Sequence, residues 1–529
     1  MGAAVLVAAA WAGPLAAQVT ERASVASGGV EGNLNSFQAS VSADSRFVTF
    51  VSLASNLVAG DVSGHPDVFV HDRQSGTTER VSVSTGGAEG NAPSYSPSIS
   101  ADGRFVAFYS GASNLIASDT NFSTDIFVRD RQSGTTERVS VATGGAQAEA
   151  SSSFPSISAD GRFVAFHSGA ANLTVGDSNL RTDIFVRDRQ SASTDLVSVA
   201  TGGAQGNSNS NLPAISADGR FIVFVSGATN LVTGDANGIN DVFVRDCQSG
   251  TTERASVATG GAEGNASSYE SSISADGRFA VFYSDATNLV TGDTNGTNDV
   301  FVRDLQSGTT ERASVATGGA QGNGASFEST ISADGRFVTF YSEAWNLVTG
   351  DTNGDQDIFV RDRQEGTTER VSLDTGGTQG NSASAFPSIS ADGRFVTFDS
   401  YATNLVAGDM NTFQDVFVRD RGQATVAAPA TEAPRVPRIS LLQSLPNPFN
   451  SQTTIDYALA SPGSIRLSIY DASGRSVRTL VRDVIEPAGR HTVAWDGRTD
   501  DGRGLPGGVY FSRLEAGGHM ALGRMTLVR

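Results

Sequence analysis

The stretch SADGRF, Ser100–Phe105, returns along this chain at a fixed interval. Its aspartate falls at Asp44, Asp102, Asp160, Asp218, Asp276, Asp334 and Asp392, always 58 residues apart. Seven copies without insertion or deletion mark a repeat architecture, in which each unit is a supersecondary element that needs its neighbours. The copy that begins at Phe154 shows what one unit is. PSIS runs into the turn ADGR, then FVAFHS, a long polar loop, DIFVRD, a short turn and DLVSV. These are four short Val/Ile/Phe-rich segments separated by Gly, Asp, Asn and Ser, with no helical period. FVAF and DIFV are apolar on both faces, which suits strands sandwiched between neighbouring sheets. The pattern predicts an all-β chain with a seven-bladed β-propeller; a parallel solenoid is the alternative.

The ends of the array favour a closed ring. The last copy stops after its third strand, Asp415–Asp420, and the missing fourth strand is found ahead of the first copy. There Glu21-Arg22-Ala23-Ser24-Val25 matches the ERVSV of Glu79–Val83. The expectation is that Glu21–Val25 pairs with Asp415–Asp420 and removes an open sheet edge.

SADGRFVAFYS followed by DIFVRD resembles the WD40-like repeat of the TolB type, across about residues 19–421. That family includes exported binding proteins as well as peptidase and lyase propellers. The resemblance implies a fold and an exported setting, and leaves activity open.

Composition narrows the chemistry. The 529 residues carry a net charge of −19, and the excess acid lies in the repeats, so the surface repels phosphate backbones and no nucleic-acid partner is expected. The chain has no lysine, which excludes Schiff-base chemistry and a Walker-type phosphate loop. Its single cysteine, Cys247, allows no intramolecular disulfide. With only His65, His71 and His167 in the repeats, it also lacks an evident base. Residues 1–17, MGAAVLVAAAWAGPLAA, read as the apolar core and cleavage region of a secretory signal, although its usual basic leader is missing. A buried helix is the other reading. No other run is long and apolar enough to span a membrane.

Four antiparallel strands put the first and third turns on one face of the ring, and the second turn and inter-blade link on the other. ADG and QSG are minimal, whereas the second turn and the link are long, so a ligand is expected on the long-loop face. The second turn carries D-x-N-x-x-x-D, as Asp235/Asn237/Asp241, Asp293/Asn295/Asp299 and Asp351/Asn353/Asp357, the last with Asp355 added. Alternating Asp and Asn oxygens on a glycine turn suit Ca²⁺, with Asp351–Asp357 the best candidate. The same residues could instead form Asx-turns that cap the next strand.

A specific site should lie where blades differ. Six residues before the motif aspartate the copies read Gln38, Ser96, Phe154, Leu212, Glu270, Glu328 and Phe386. Glu270 and Glu328, preceded by Tyr269 and Phe327, could bind a sugar or a cation or act as an acid/base pair; two solvated rim carboxylates is the plainer reading. Trp345 and Tyr401, in the second turns of the last two blades, are exposed-aromatic candidates. No G-x-S-x-G, H-E-x-x-H or Cys–His constellation is present.

Beyond an Ala/Pro/Thr linker at 422–440, expected to be extended, the strand pattern changes. TTIDYAL, IRLSIYDASGR, VRTLV, AGRHTVAWDG and GVYFSRLEAG read as a small β-sandwich over 441–529. Pro446-Asn447-Pro448-Phe449, Tyr470-Asp471, Gly474-Arg475, Trp495-Asp496-Gly497 and Gly508-Val509-Tyr510 resemble the FlgD-type immunoglobulin-like domain and the type A sorting domain of the type IX secretion system. That resemblance implies secretion machinery as a partner and a secreted or surface location. The expected organisation is a signal at 1–17, a propeller at 18–421, the linker and the sandwich. The expected function is non-enzymatic binding of an extracellular carbohydrate, peptide or protein. A secreted hydrolase or lyase and a structural surface component are the rivals.

Overall fold

The computed structural model describes residues 18–422, 439–459, 463–471, 474–487, 489–516 and 519–528. The expected signal segment and all but the ends of the expected linker lie outside the described residues. The chain divides into two compact units, Met1–Ala424 and Thr425–Arg529.

The first unit is a seven-bladed propeller of four-stranded antiparallel sheets. In blade one the inner strand is Ser36–Val41, followed by Phe47–Ser52, Asp67–Asp72 and the outer Thr77–Arg80. The repeated hexamer earns its regularity residue by residue. Ser100 Oγ donates to Asp102 Oδ1 at 2.7 Å and accepts the Phe105 amide, while Asp102 Oδ1 accepts the Arg104 amide. Gly103 takes φ +71°, and a Cβ there would fall 2.1 Å from the Phe47 ring of the preceding blade. Arg104 forms a two-pronged pair with Asp130 at the third turn, 2.9 and 2.7 Å, which fastens both short turns to one face. Between successive blades the Val, Ile and Phe side chains form one buried apolar cluster at each of the seven interfaces. Burial of this kind is the main stabilising term.

Blade seven is completed from the other end of the ring. The closing strand is Val19–Arg22, with Val19 opposite Asp420 and Arg22 opposite Phe417. Pairing therefore begins two residues earlier than the expected Glu21–Val25. The outer strand is the T/V-T-E-R segment, and it ends where the Ala23 and Ser24 amides both turn to the Val416 carbonyl. Ser24 then leaves the ladder to bond Asp415 through its hydroxyl.

The second unit is a two-sheet β-sandwich. One sheet orders Ile439–Leu445, Thr453–Leu459 and Gly489–Trp495; the other orders Ser476–Glu486, Gly463–Asp471, Gly508–Ala516 and His519–Leu527. Its core includes Ile455, Ile465, Leu467 and Leu514. Trp495 stands between Phe449 and Tyr510, each with ring centroids 5.4 Å away.

Candidate functional site: the central channel

The seven variable positions form a ring. Each inner strand breaks register with its neighbour at this point, as between Phe37 and Ser40 or Tyr269 and Ser271. A bulge of this kind re-aims a side chain. All seven residues carry positive φ, from 23° at Glu270 to 56° at Gln38, although none is glycine. Left-handed backbone is costly for such residues and persists only where the surroundings enforce it. The ring lines a central cavity of about 360 Å³. Strain and sequence variation thus coincide inside an otherwise uniform scaffold.

The lining is lopsided. In blades two, three, four and seven the ring residue is followed by proline: Pro97, Pro155, Pro213 and Pro387. In blades five and six it is followed by Ser271 and Ser329. Of the channel-lining side chains, those with a buried polar atom lacking a partner are Ser271, Glu328, Ser329 and Thr330, all on these two blades. Ser329 is only 6 % exposed.

Electrostatics follow the same asymmetry. Burial, and then the charges of Glu270 and Asp399, push the Glu328 carboxyl up to about 9, and burial raises Glu270. Among the described residues none of these three acids has an ion-pair partner. Asp399 is fully buried and its carboxyl stands well above the usual range; Gln414 Nε2 donates to its Oδ2 at 2.7 Å, and Oδ1 has no partner. Sequence reading missed Asp399. The signal was there: seven residues after the motif aspartate the blades read Val51, Tyr109, His167, Val225, Tyr283, Tyr341 and Asp399.

The aromatic candidates divide. Tyr269 stacks on Tyr283 at 5.3 Å; Phe327 meets Tyr341 at 5.3 Å and Tyr283 edge-on at 5.6 Å. These four rings pack on one another in blades five and six, and none of them lines the channel itself. Both carboxylates raise the Tyr283 and Tyr341 phenols, after burial itself. Trp345 and Tyr401 are exposed, 66 % and 46 %, and neither lines the channel.

In the acidic loops the carboxylates meet an arginine of the chain itself. Arg254 Nη1 lies 3.4 Å from Asp235, 3.3 Å from Asp241 and 2.7 Å from Glu263. Arg312 holds Asp293 and Asp299 at 3.3 and 3.0 Å, and Arg370 holds Asp351 and Asp357 at 3.2 and 3.1 Å. Each loop asparagine accepts the amide two residues on and donates towards the following aspartate: Asn237 to Asp241, Asn295 to Asp299, Asn353 to Asp357. These are Asx-turns. Asp355 is exposed and its amide closes one of them. Three carboxylates come within 4.8 Å of one another at Asp61/Asp67/Glu89 and Asp235/Asp241/Glu263 rather than at Asp351–Asp357. Sequence spacing missed Glu89 and Glu263 because they arrive from the inter-blade link. Blade three has Leu196 where the arginine belongs, and there burial pushes Asp183 up to about 6.

The FlgD Ig-like domain family matches residues 449–518. Among curated proteins none matches the sequence. Solved structures similar to the chain include TolB from Acinetobacter baumannii, 14% identical over 68% of this chain and 78% of that one, with a TM-score of 0.33. PorZ, a bacterial surface component of the type-IX secretion system of Porphyromonas gingivalis, is 13% identical over 92% and 58%, with a TM-score of 0.37. The acylaminoacyl peptidase of Pyrococcus horikoshii is 10% identical over 81% and 59%, with a TM-score of 0.44. No helix of the described residues is long and apolar enough to cross a membrane.

Proposed function

We propose that the protein is an exported, non-enzymatic binding protein that receives its ligand in the central channel from the long-loop face. The observation that carries this reading is the ring itself: seven non-glycine residues in left-handed backbone, of five residue types, lining one cavity. The repeated turns and blade interfaces serve the scaffold, and the ring is where variation and a cavity coincide. The apolar N-terminal run and the C-terminal sandwich support delivery outside the cytoplasm, with secretion machinery as the partner of the second unit.

Retention and turnover separate this from the hydrolase or lyase reading. On glycan and peptide arrays the full chain should retain a ligand unchanged, and Leu212→Arg, which places a long cation in the ring, should abolish retention. Released fragments from any array member would establish the enzyme instead.

A further inference from the structure

Resting on that binding reading, we propose that the channel wall of blades five and six is a receptor for a primary ammonium group, held between Glu270 and Glu328 with Ser329 as a further acceptor. The inner strands Ser268–Ile273 and Ser326–Ile331 are the two in which Glu-Ser stands where four other blades have a Pro-containing pair and blade one has Gln38-Ala39. They are adjacent, so both carboxylates stand on one side of the cavity.

Charge balance points to a cation. Away from the channel the recurring buried aspartates mostly meet an arginine of the chain: Arg104 for Asp130, Arg254 for Asp241, Arg312 for Asp299. At Glu270 and Glu328 no arginine is supplied, and the groups that face them are further acids and phenols: Asp399, Tyr269, Tyr283 and Tyr341, with Asp285 and Glu343 beyond. A buried carboxylate without a partner is costly, so these groups either keep a proton or exchange it for a bound cation.

The donor count points to an ammonium. Glu328 Oε2, Ser329 Oγ, Ser271 Oγ and Thr330 Oγ1 all lack partners, and Ser329 is more than nine-tenths buried against the channel. An –NH₃⁺ brings three donors and no acceptor, and the glutamate and hydroxyl oxygens of this wall can all accept from it. Ca²⁺ takes about six to eight oxygens, more than two glutamates supply, so it is the competitor that the experiment must include.

The proton inventory makes the idea measurable. A carboxyl that holds its proton at neutral pH must release it to pair with an ammonium. Affinity should therefore rise with pH by up to about tenfold per unit below the Glu328 pKa.

Titration calorimetry of the full chain with n-butylammonium, in two buffers of different ionisation heat, tests this. Binding with proton release is expected, at least tenfold weaker in Glu328→Gln and in Glu270→Gln. Tetramethylammonium, which has no N–H donor, should bind more weakly. Ser329→Ala serves if a glutamine variant does not fold, with a loss of threefold or more. Nα-acetyl-lysine amide and putrescine distinguish a protein side chain from a polyamine as the source. No binding of n-butylammonium, or equal binding to parent and variants, overturns the assignment, as does Ca²⁺ that displaces the amine from the parent. An array ligand lost in Leu212→Arg but kept by Glu328→Gln would overturn the ammonium while leaving the binding reading intact.

Discussion

Glu328 combines left-handed backbone, a buried unpartnered oxygen and two acidic neighbours, and the last two raise the energy of its ionised form. Its carboxyl moves from 4.5 to about 9 in the folded chain. The folded state therefore holds a proton that the unfolded state has lost over this range, and stability falls as pH rises from about 4.5 to about 9. Asp399 adds to the same trend. Asp130, held low by the Arg104 guanidinium, acts oppositely, and its contribution is present above the unfolded pKa and lost on acidification. Glutamine at 328 is uncharged at every pH. Glu328→Gln should therefore melt above the parent at about pH 9 and close to it near the unfolded pKa of about 4.5. Parallel melting curves across that range would show that the carboxyl is solvated, and the plainer rim reading would return.

At the scale of the blade, a recurring inter-blade clasp has two gaps. Arg131 donates to Glu79 at 2.6 Å and to the Gly103 carbonyl, and lies 4.3 Å above the Phe47 ring. The equivalent positions further round are Cys247, which is exposed, and Leu305. Opposite Leu305 the chain retains Glu253, whose carboxyl is raised by burial with only Arg303 to oppose it. Leu305→Arg should restore the clasp over Phe221 and stabilise by about 0.5–2 kcal/mol, the range of a consensus substitution. In a Glu253→Gln background most of that gain should vanish; an equal gain in both backgrounds, measured by denaturant unfolding, would refute the clasp. Repetition is what made this grammar legible in the sequence. Strand order, turn faces and the variable ring follow from the 58-residue phase, and Glu270 and Glu328 were visible as departures from it. Three things were not legible. The bulge that turns ring residues inward is a backbone event without a glycine to announce it. Asp399 departs visibly from its own column, but its link to glutamates on other strands shows only in the fold. The arginine beside the acidic loops comes from the outer strand, so D-x-N-x-x-x-D alone does not show that the chain brings a cation to these carboxylates.

At the scale of the molecule, ring closure concentrates long-range interactions in nine residues. Besides its ladder to Asp415–Asp420, the closing segment brings Arg22 to Glu31, Asp409 and Asp415 at 2.7, 3.5 and 2.9 Å. Ser24 donates to Asp415, while Gln18 and Thr20 accept from Arg419, which is 2 % exposed. Deleting residues 18–26 would leave Asp415 and Arg419 buried without these partners, at about 3–5 kcal/mol for a broken buried pair. It would also bare the edge of Asp415–Asp420, a template for pairing with a second chain. The truncated protein should melt well below the parent and aggregate, and a synthetic peptide of residues 18–26 supplied in excess should restore a monodisperse species. Arg22→Leu, which copies the Leu196 already tolerated in blade three, should cost less than the deletion because the ladder survives. A truncated chain that melts like the parent and stays monodisperse would mean that blade interfaces alone hold the ring closed.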